Sequence, residues 1–114
     1  MIELSDLEEM FENIQSNTGW DMNKPMLWGY FFTDPSREKL QEAAAVLENA
    51  GYRFVDLYVP ELEDDEDEYF FLHMEREEAH SPQTLNERNM QLYAFAEKHE
   101  LDSYDGMDVG PIQP

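Results

Sequence analysis

The sequence predicts an α+β fold in which helices pack against one four-stranded antiparallel sheet. Hydrophobic residues make up 41% of the 114 positions, which suffices for one core but not for separate cofactor and substrate domains. Short segments rich in aromatic and β-branched residues alternate with longer segments of helical periodicity. Prolines and glycines stand between these segments, where turns are expected.

The first predicted element is an amphipathic helix over residues 5–17, with Ser5 as its N-cap. Its apolar positions recur at helical spacing, namely Leu7, Met10, Phe11 and Ile14. A glycine and a proline follow and end the helix. We therefore assign residues 1–25 to an N-terminal helix and linker, residues 26–110 to the main body of a single domain, and residues 111–114 to a tail.

A strand-helix-strand unit comes next. Residues 26–33 (MLWGYFFT) are short and aromatic, which favours a strand. Asp34, followed by proline, is a typical start for a helix, predicted here over residues 35–50 and ended by Gly51. Residues 52–59 alternate in polarity and predict a second strand.

A second unit of the same kind completes the domain. Residues 69–78 predict a strand that turns one set of side chains to each face: Phe70, Leu72 and Met74 to one, Phe71, His73, Glu75 and Glu77 to the other. Ser81, again followed by proline, starts a helix that runs to about His99. A final strand is predicted over residues 103–109.

Two split β-α-β units close into a βαββαβ sheet with strand order 4-1-3-2 and both crossover helices on one face, the ferredoxin-like arrangement. The N-terminal helix must then pack on a sheet edge or on the open face. If Gly29 faces the helices, the open face carries a large aromatic patch that needs a cover. That patch consists of Trp28, Tyr30, Phe54, Tyr58 and Phe71.

Charge and composition exclude several classes of protein. Seven Lys and Arg against 27 Asp and Glu leave a formal charge of −20, which repels phosphate backbones and disfavours direct nucleic-acid binding. The absence of cysteine excludes disulfides, thiolate metal sites and thiol nucleophiles. No apolar run is long enough to span a membrane, and the residues after Met1 lack the basic segment with which a secretory signal begins. We therefore expect a cytoplasmic protein with no membrane partner.

Catalytic patterns are equally sparse. There is no Gly-x-Ser-x-Gly segment, and His73, His80 and His99 fall in a strand, a loop and a helix end. His73 with Glu75 and Glu77 forms a row along one strand face, whereas a metal needs a closed shell. We expect no enzyme, no metal and no cofactor. A small-ligand site or an enzyme that uses the His73 face stays open as an alternative.

Residues 61–68 (ELEDDEDE) hold seven acids in eight positions, and their repulsion predicts a solvated loop between two strands. The block lacks the glycine and the alternation of an EF-hand loop, although weak binding of divalent ions stays open. Its functional interpretation is a docking surface for an Arg- or Lys-rich partner. The acids concerned are Glu61, Glu63, Asp64, Asp65, Glu66, Asp67 and Glu68.

Four stretches resemble the regulator of ribonuclease E activity B family over about residues 26–110. They are residues 30–34 (YFFTD), Gly51-Tyr52, His80-Ser81-Pro82 and residues 104–110 (YDGMDVG). The resemblance implies a small, acidic bacterial protein with a ferredoxin-like sandwich. It also implies a non-catalytic inhibitor that binds the endoribonuclease that organises the RNA degradosome.

These observations lead to one main hypothesis and one further alternative. The chain binds a basic surface of ribonuclease E or of another RNA-associated protein, and presents carboxylates where phosphates would sit. The predicted binding residues are the acid block together with Tyr104, Asp105, Gly106 and Asp108. The alternative is a self-associating homo-oligomer in which sheet faces pair.

Overall fold

A computed structural model of the chain describes residues 2–59 and 69–112. Over these residues three helices and four strands follow one another in the predicted order. The elements are α1 (Leu4–Thr18), β1 (Met26–Asp34), α2 (Arg37–Asn49), β2 (Arg53–Tyr58), β3 (Phe70–Glu78), α3 (Pro82–Lys98) and β4 (Ser103–Gly110).

The four strands form one sheet in the order β2-β3-β1-β4, and every neighbouring pair is antiparallel. The α+β class, the antiparallel sheet and the additional N-terminal helix are confirmed. The order is the predicted 4-1-3-2 counted from the other edge. The likeness to a ferredoxin-like arrangement is loose, since a third helix joins the two crossover helices.

The core lies between the helices and the even-numbered side chains of β1. Met26, Trp28, Tyr30 and Phe32 are all buried there. Tyr30 pairs with Met74 and Phe32 with Leu72, so the apolar face predicted for β3 is confirmed. The expectation that Gly29 faces the helices is wrong, and with it the placement of Trp28 and Tyr30 on the open face. Because β1 is apolar on both sides, its alternation does not mark a face, and the pairing with β3 decides.

The N-terminal helix covers Trp28. The Phe11 ring stacks on the Trp28 indole with centroids 5.9 Å apart, and the backbone amide of Ile2 donates to the Tyr93 hydroxyl of α3 at 3.1 Å. Helix α1 therefore lies on the same side of the sheet as α2 and α3. Of the two predicted placements, a sheet edge or the open face, the open face is wrong, because α1 covers Trp28 on the helix side.

Two of the three predicted N-caps are wrong, each by two residues. Glu3, not Ser5, caps α1. Ser36, not Asp34, caps α2 by accepting a backbone amide three residues on. Ser81 caps α3 as predicted. Short acids and serines near a helix start all compete for the same free amides, so spacing alone does not choose among neighbours.

Strand β2 departs from simple alternation because its register with β3 shifts between Phe54 and Asp56. Phe54 pairs with Met74 and so belongs to the helix side, which corrects its predicted placement. Tyr58 pairs with Phe71 on the open face, as predicted.

None of the three helices in the part of the chain that the structure describes has a hydrophobic stretch that could span a bilayer.

Candidate protein-binding face

The sheet side opposite the helices, here called the open face, carries side chains from all four strands. Its members come from pairs in register across the sheet, so they form one continuous surface. They are Leu27, Gly29, Phe31 and Thr33 of β1, Arg53, Asp56 and Tyr58 of β2, Phe71, His73, Glu75 and Glu77 of β3, and Ser103, Asp105 and Asp108 of β4.

Stacked rings make the floor of the open face. Phe31 and His73 stack with centroids 4.4 Å apart and planes 20° from parallel. Tyr58 and Phe71 stack at 5.6 Å and 12°, and Tyr69 lies 5.7 Å from Phe71. His73 thus lies among aromatic side chains. The three described helices lie on the other side of the sheet, so these rings offer flat apolar area to a partner.

A cavity of about 310 Å³ opens above Gly29. A Cβ at this position would collide with Asp108 Oδ1 and would lie 2.7 Å from His73 Nε2. Glu75 lines the same cavity. Because position 29 has no side chain, the Asp108 carboxylate and the His73 imidazole lie close over its backbone, and with Glu75 they line the cavity.

A second cavity, of about 460 Å³, lies at the other end of β1. Thr33 forms its floor, and its hydroxyl lies 2.6 Å from the Ser103 hydroxyl and 3.4 Å from Asp102 Oδ2. Asp102, Asp105, Phe71 and neighbouring residues line it. Like the first, it combines carboxylates with aromatic area.

Cations contribute little to the open face. Arg53 is its one basic member among the residues that the structure describes, and its guanidinium is paired with Glu75. Arg76 and Arg88 lie on the helix side, where both bind Glu78. Arg53 neutralises Glu75, but Asp56, Glu77, Asp105 and Asp108 have no cationic partner among the described residues. The open face is acidic.

The structure separates the predicted binding residues of β4 into two groups. Asp105 and Asp108 are exposed on the open face. Tyr104 is buried, its hydroxyl donates to Asn89 Oδ1 at 2.6 Å, and burial raises its pKa. Gly106 is buried at a φ of 123°, which favours glycine. Burial leaves Tyr104 and Gly106 no surface for a partner, so they hold β4 in place beneath the two aspartates.

The predicted acid block lies outside the described residues, so its place relative to the open face is not part of the structure. This applies to Glu61, Glu63, Asp64, Asp65, Glu66, Asp67 and Glu68. The strands that flank the block end at Tyr58 and begin at Phe70, on either side of the Tyr58–Phe71 stack.

A polar cluster around Glu78 was not predicted. Glu78 Oε2 accepts hydrogen bonds from the Tyr30 hydroxyl at 2.5 Å and from His80 Nε2 at 2.8 Å, and Oε1 accepts from Arg88 at 2.9 Å. Burial by itself would raise the pKa of Glu78, but the bonds from His80 and Tyr30 and the charge of Arg88 outweigh it and hold the pKa at about 2. The alternation of β3 could have indicated this cluster, because it places Glu78 on the same side of the sheet as Leu72 and Met74.

A family model described as regulator of ribonuclease activity B matches residues 5–109. The chain belongs to this family. The matched region begins in α1 and ends in β4, so it includes the N-terminal helix that the resemblance over residues 26–110 left out. No curated protein matches the chain.

Membership of the regulator of ribonuclease activity B family implies regulation of ribonuclease E activity, by proteins that are regulators and not catalysts. In the described part of this family member, no three His, Asp or Glu side chains lie close enough together to hold a metal ion. The row of His73, Glu75 and Glu77 is therefore not a metal shell. Ring stacking and carboxylates remain as the chemical means of the open face.

Proposed function

We propose that the chain is a non-catalytic cytoplasmic regulator that binds an endoribonuclease of the ribonuclease E type, or a related basic RNA-associated protein, and inhibits it. One observation carries the proposal: in this member of a family of ribonuclease regulators, the three described helices lie on one side of the sheet, and the other side combines aromatic rings with carboxylates. Such a face suits a cationic protein surface.

The proposed contacts substitute for those of RNA. Proteins hold RNA largely through Lys and Arg on phosphates and through stacking on bases. Asp105 and Asp108 offer carboxylates to the same cations, and the Phe31–His73 and Tyr58–Phe71 stacks offer flat rings to their stems and guanidinium groups. The acid block of residues 61–68, which lies between β2 and β3 in the sequence, adds seven acids to the negative charge of the chain.

The charge of the chain sets how such binding depends on salt. A formal charge of −20 attracts a cationic partner before the two proteins touch, and so raises the rate of association. Added salt screens this attraction over a Debye length of about 8 Å at physiological ionic strength. Inhibition that follows this mechanism is strong at low salt and weak at high salt.

The test is a titration of purified ribonuclease E, cleaving a single-stranded RNA, with this protein at on the order of 0.05 M and 0.3 M salt. We expect inhibition at low salt, a complex detectable by calorimetry, and a large loss of both at high salt. Unaltered cleavage at low salt, with no complex, would overturn the proposal.

A pair of double variants separates the open face from net charge. Asp105→Asn with Asp108→Asn removes two charges from the open face, and Glu42→Gln with Glu48→Gln removes two from exposed positions of α2. We expect the first pair to weaken inhibition about tenfold or more and the second to change it less than about twofold. Equal losses in both would mean that only total charge matters and that the open face is not the binding surface.

A further inference from the structure

We infer that the cavity above Gly29 is a receptor pocket for one arginine side chain of the protein partner. The inference deepens the proposed function and rests on it for the identity of the partner. It names the place on the open face where a partner residue inserts, and the residue type that fits.

The first argument is the glycine itself. Gly29 lies inside β1 and pairs with Glu75 on one side and with Asp108 on the other. A glycine in a strand interior costs roughly 0.5–1 kcal/mol relative to alanine and often marks a site of close approach by a ligand or another chain. Here the close approach is made by the chain's own Asp108 and His73, whose side chains lie over the Gly29 backbone and line the cavity of about 310 Å³.

The second argument is the chemistry of the walls. Asp108 is exposed, and no Lys, Arg or His nitrogen of the described residues lies within 4.0 Å of its carboxylate. His73 lines the same cavity, and its ring stacks on the Phe31 ring. A carboxylate beside a flat stacked ring offers one ion pair and one stacking surface.

The third argument concerns arginine against lysine. A guanidinium is planar, can bond both carboxylate oxygens of one aspartate and stacks on flat groups, whereas an ammonium is compact and strongly hydrated. The molecule already uses arginine in this way: Arg53 pairs with Glu75 on the open face, and the Arg76 guanidinium lies 5.2 Å from the Tyr52 ring centroid on the helix side. In the cavity, the planar cation can pair with the Asp108 carboxylate and lie against the His73 ring.

The direct experiment uses N-acetyl-arginine amide as the probe and amide NMR of the whole chain as the readout. We expect saturable shifts at Gly29 and at the amides beside it in β3 and β4, with a dissociation constant on the order of millimolar. The lysine analogue should bind several-fold more weakly, and the uncharged citrulline analogue should not bind. Shifts spread evenly over the surface, or equal shifts with citrulline, would overturn the inference.

A variant at Gly29 and a control away from the cavity sharpen the test. Gly29→Ala places a methyl where Asp108 Oδ1 and His73 Nε2 lie, so it displaces both groups without changing charge, and both can move because they are side-chain ends. Ala45→Ser, at an exposed position of α2, is the control. We expect Gly29→Ala to lose at least about tenfold in affinity for the arginine probe and Ala45→Ser to keep it. Asp108→Asn should also lose about tenfold, which tests the pocket even if Gly29→Ala unfolds.

The same variants distinguish the pocket from the proposed function. If Gly29→Ala loses the arginine probe and inhibits ribonuclease E as the unchanged protein does, the nuclease does not use the pocket and the inference fails while the function stands. If the probe binds at Gly29 but no variant, nor the unchanged protein, affects the nuclease, the pocket stands and the partner is wrong.

Discussion

The hydroxyl of Tyr30 donates a 2.5 Å hydrogen bond to Glu78 Oε2, although 48 positions separate the two residues in the chain. His80 and Arg88 bind the same carboxylate, so one acid connects β1, β3 and the start of α3. Burial, together with the hydrogen bond to Glu78, raises the pKa of Tyr30. The Glu78 carboxylate thus binds Tyr30, His80 and Arg88 in one polar cluster beside an otherwise apolar core.

Glu78 predicts a specific dependence of stability on pH. Its folded-state pKa of about 2 lies below the ordinary value of 4.5. The carboxylate therefore contributes stability that is fully present above pH 4.5 and is lost as the pH falls toward 2. We expect Glu78→Gln to lower the free energy of unfolding by about 2–3 kcal/mol at neutral pH, and by progressively less below pH 4.5.

The measurement is urea unfolding of the unchanged protein and of Glu78→Gln at several pH values. The quantity compared is the difference between their free energies of unfolding. Protonation of the other acids relieves repulsion in both proteins and cancels in that difference. Glu77→Gln, at an exposed neighbouring position, is the control and should give a difference near zero throughout. A Glu78→Gln difference that does not change between pH 7 and pH 3 would contradict the prediction.

Tyr104→Phe removes the hydroxyl that donates to Asn89 Oδ1 at 2.6 Å, where both residues are buried. The amide oxygen then has no donor in the core, which costs about 1–3 kcal/mol. Tyr58→Phe, at an exposed ring, should change the free energy of unfolding by less than about 0.5 kcal/mol. Chemical denaturation measures both, and equal small effects would show that the Tyr104 hydroxyl has no structural role.

Asp34 connects the end of β1 with the segment that leads into β4. It is buried, and its carboxylate accepts from the Ser36 amide at 2.8 Å and from the Asp102 amide at 2.9 Å. We expect Asp34→Ala to cost about 2–3 kcal/mol and Asp34→Asn less, because the amide oxygen keeps one bond. Thermal or urea unfolding ranks them, and an Asn variant as unstable as Ala would contradict this account.

Phe11→Ala tests whether α1 belongs to the core. Phe11 is 5% exposed and stacks on Trp28, so its truncation should cost about 3–5 kcal/mol. In a Trp20→Phe background, Trp28 fluorescence should shift to longer wavelength as water reaches the indole. Glu12→Ala, on the exposed side of α1, should leave the emission unchanged. Unshifted emission in the Phe11 variant would mean that Trp28 is protected without α1.

The type and order of the elements could be predicted from the sequence because their signals are local. Helical spacing, the Ser81 cap and Gly51, whose φ is 101°, all act within a few residues. The strand order then followed from the handedness of two crossovers. The alternation of β3 also predicted its faces correctly, because apolar and polar residues genuinely alternate there.

The candidate site was predictable only in part. Its acidic character follows from composition, and Asp105 and Asp108 were predicted as binding residues within residues 104–110, the stretch that resembles the family. The burial of Tyr104 beneath them depends on Asn89 of α3, and the Glu78 cluster depends on Tyr30 and Arg88 from other elements. Such partners are brought together by packing, so no local pattern indicates them.

The sequence by itself determined the class of the fold, the succession of its elements and the excess of negative charge. Only the tertiary structure decided which side of β1 faces the helices. It therefore also decided that Asp108 and His73 lie over the Gly29 backbone and that Trp28 lies under α1. The physical reason is the two-residue period of a strand: when both sets of side chains are apolar, either face satisfies the core equally well, and the hydrogen-bonded register with a neighbouring strand makes the choice.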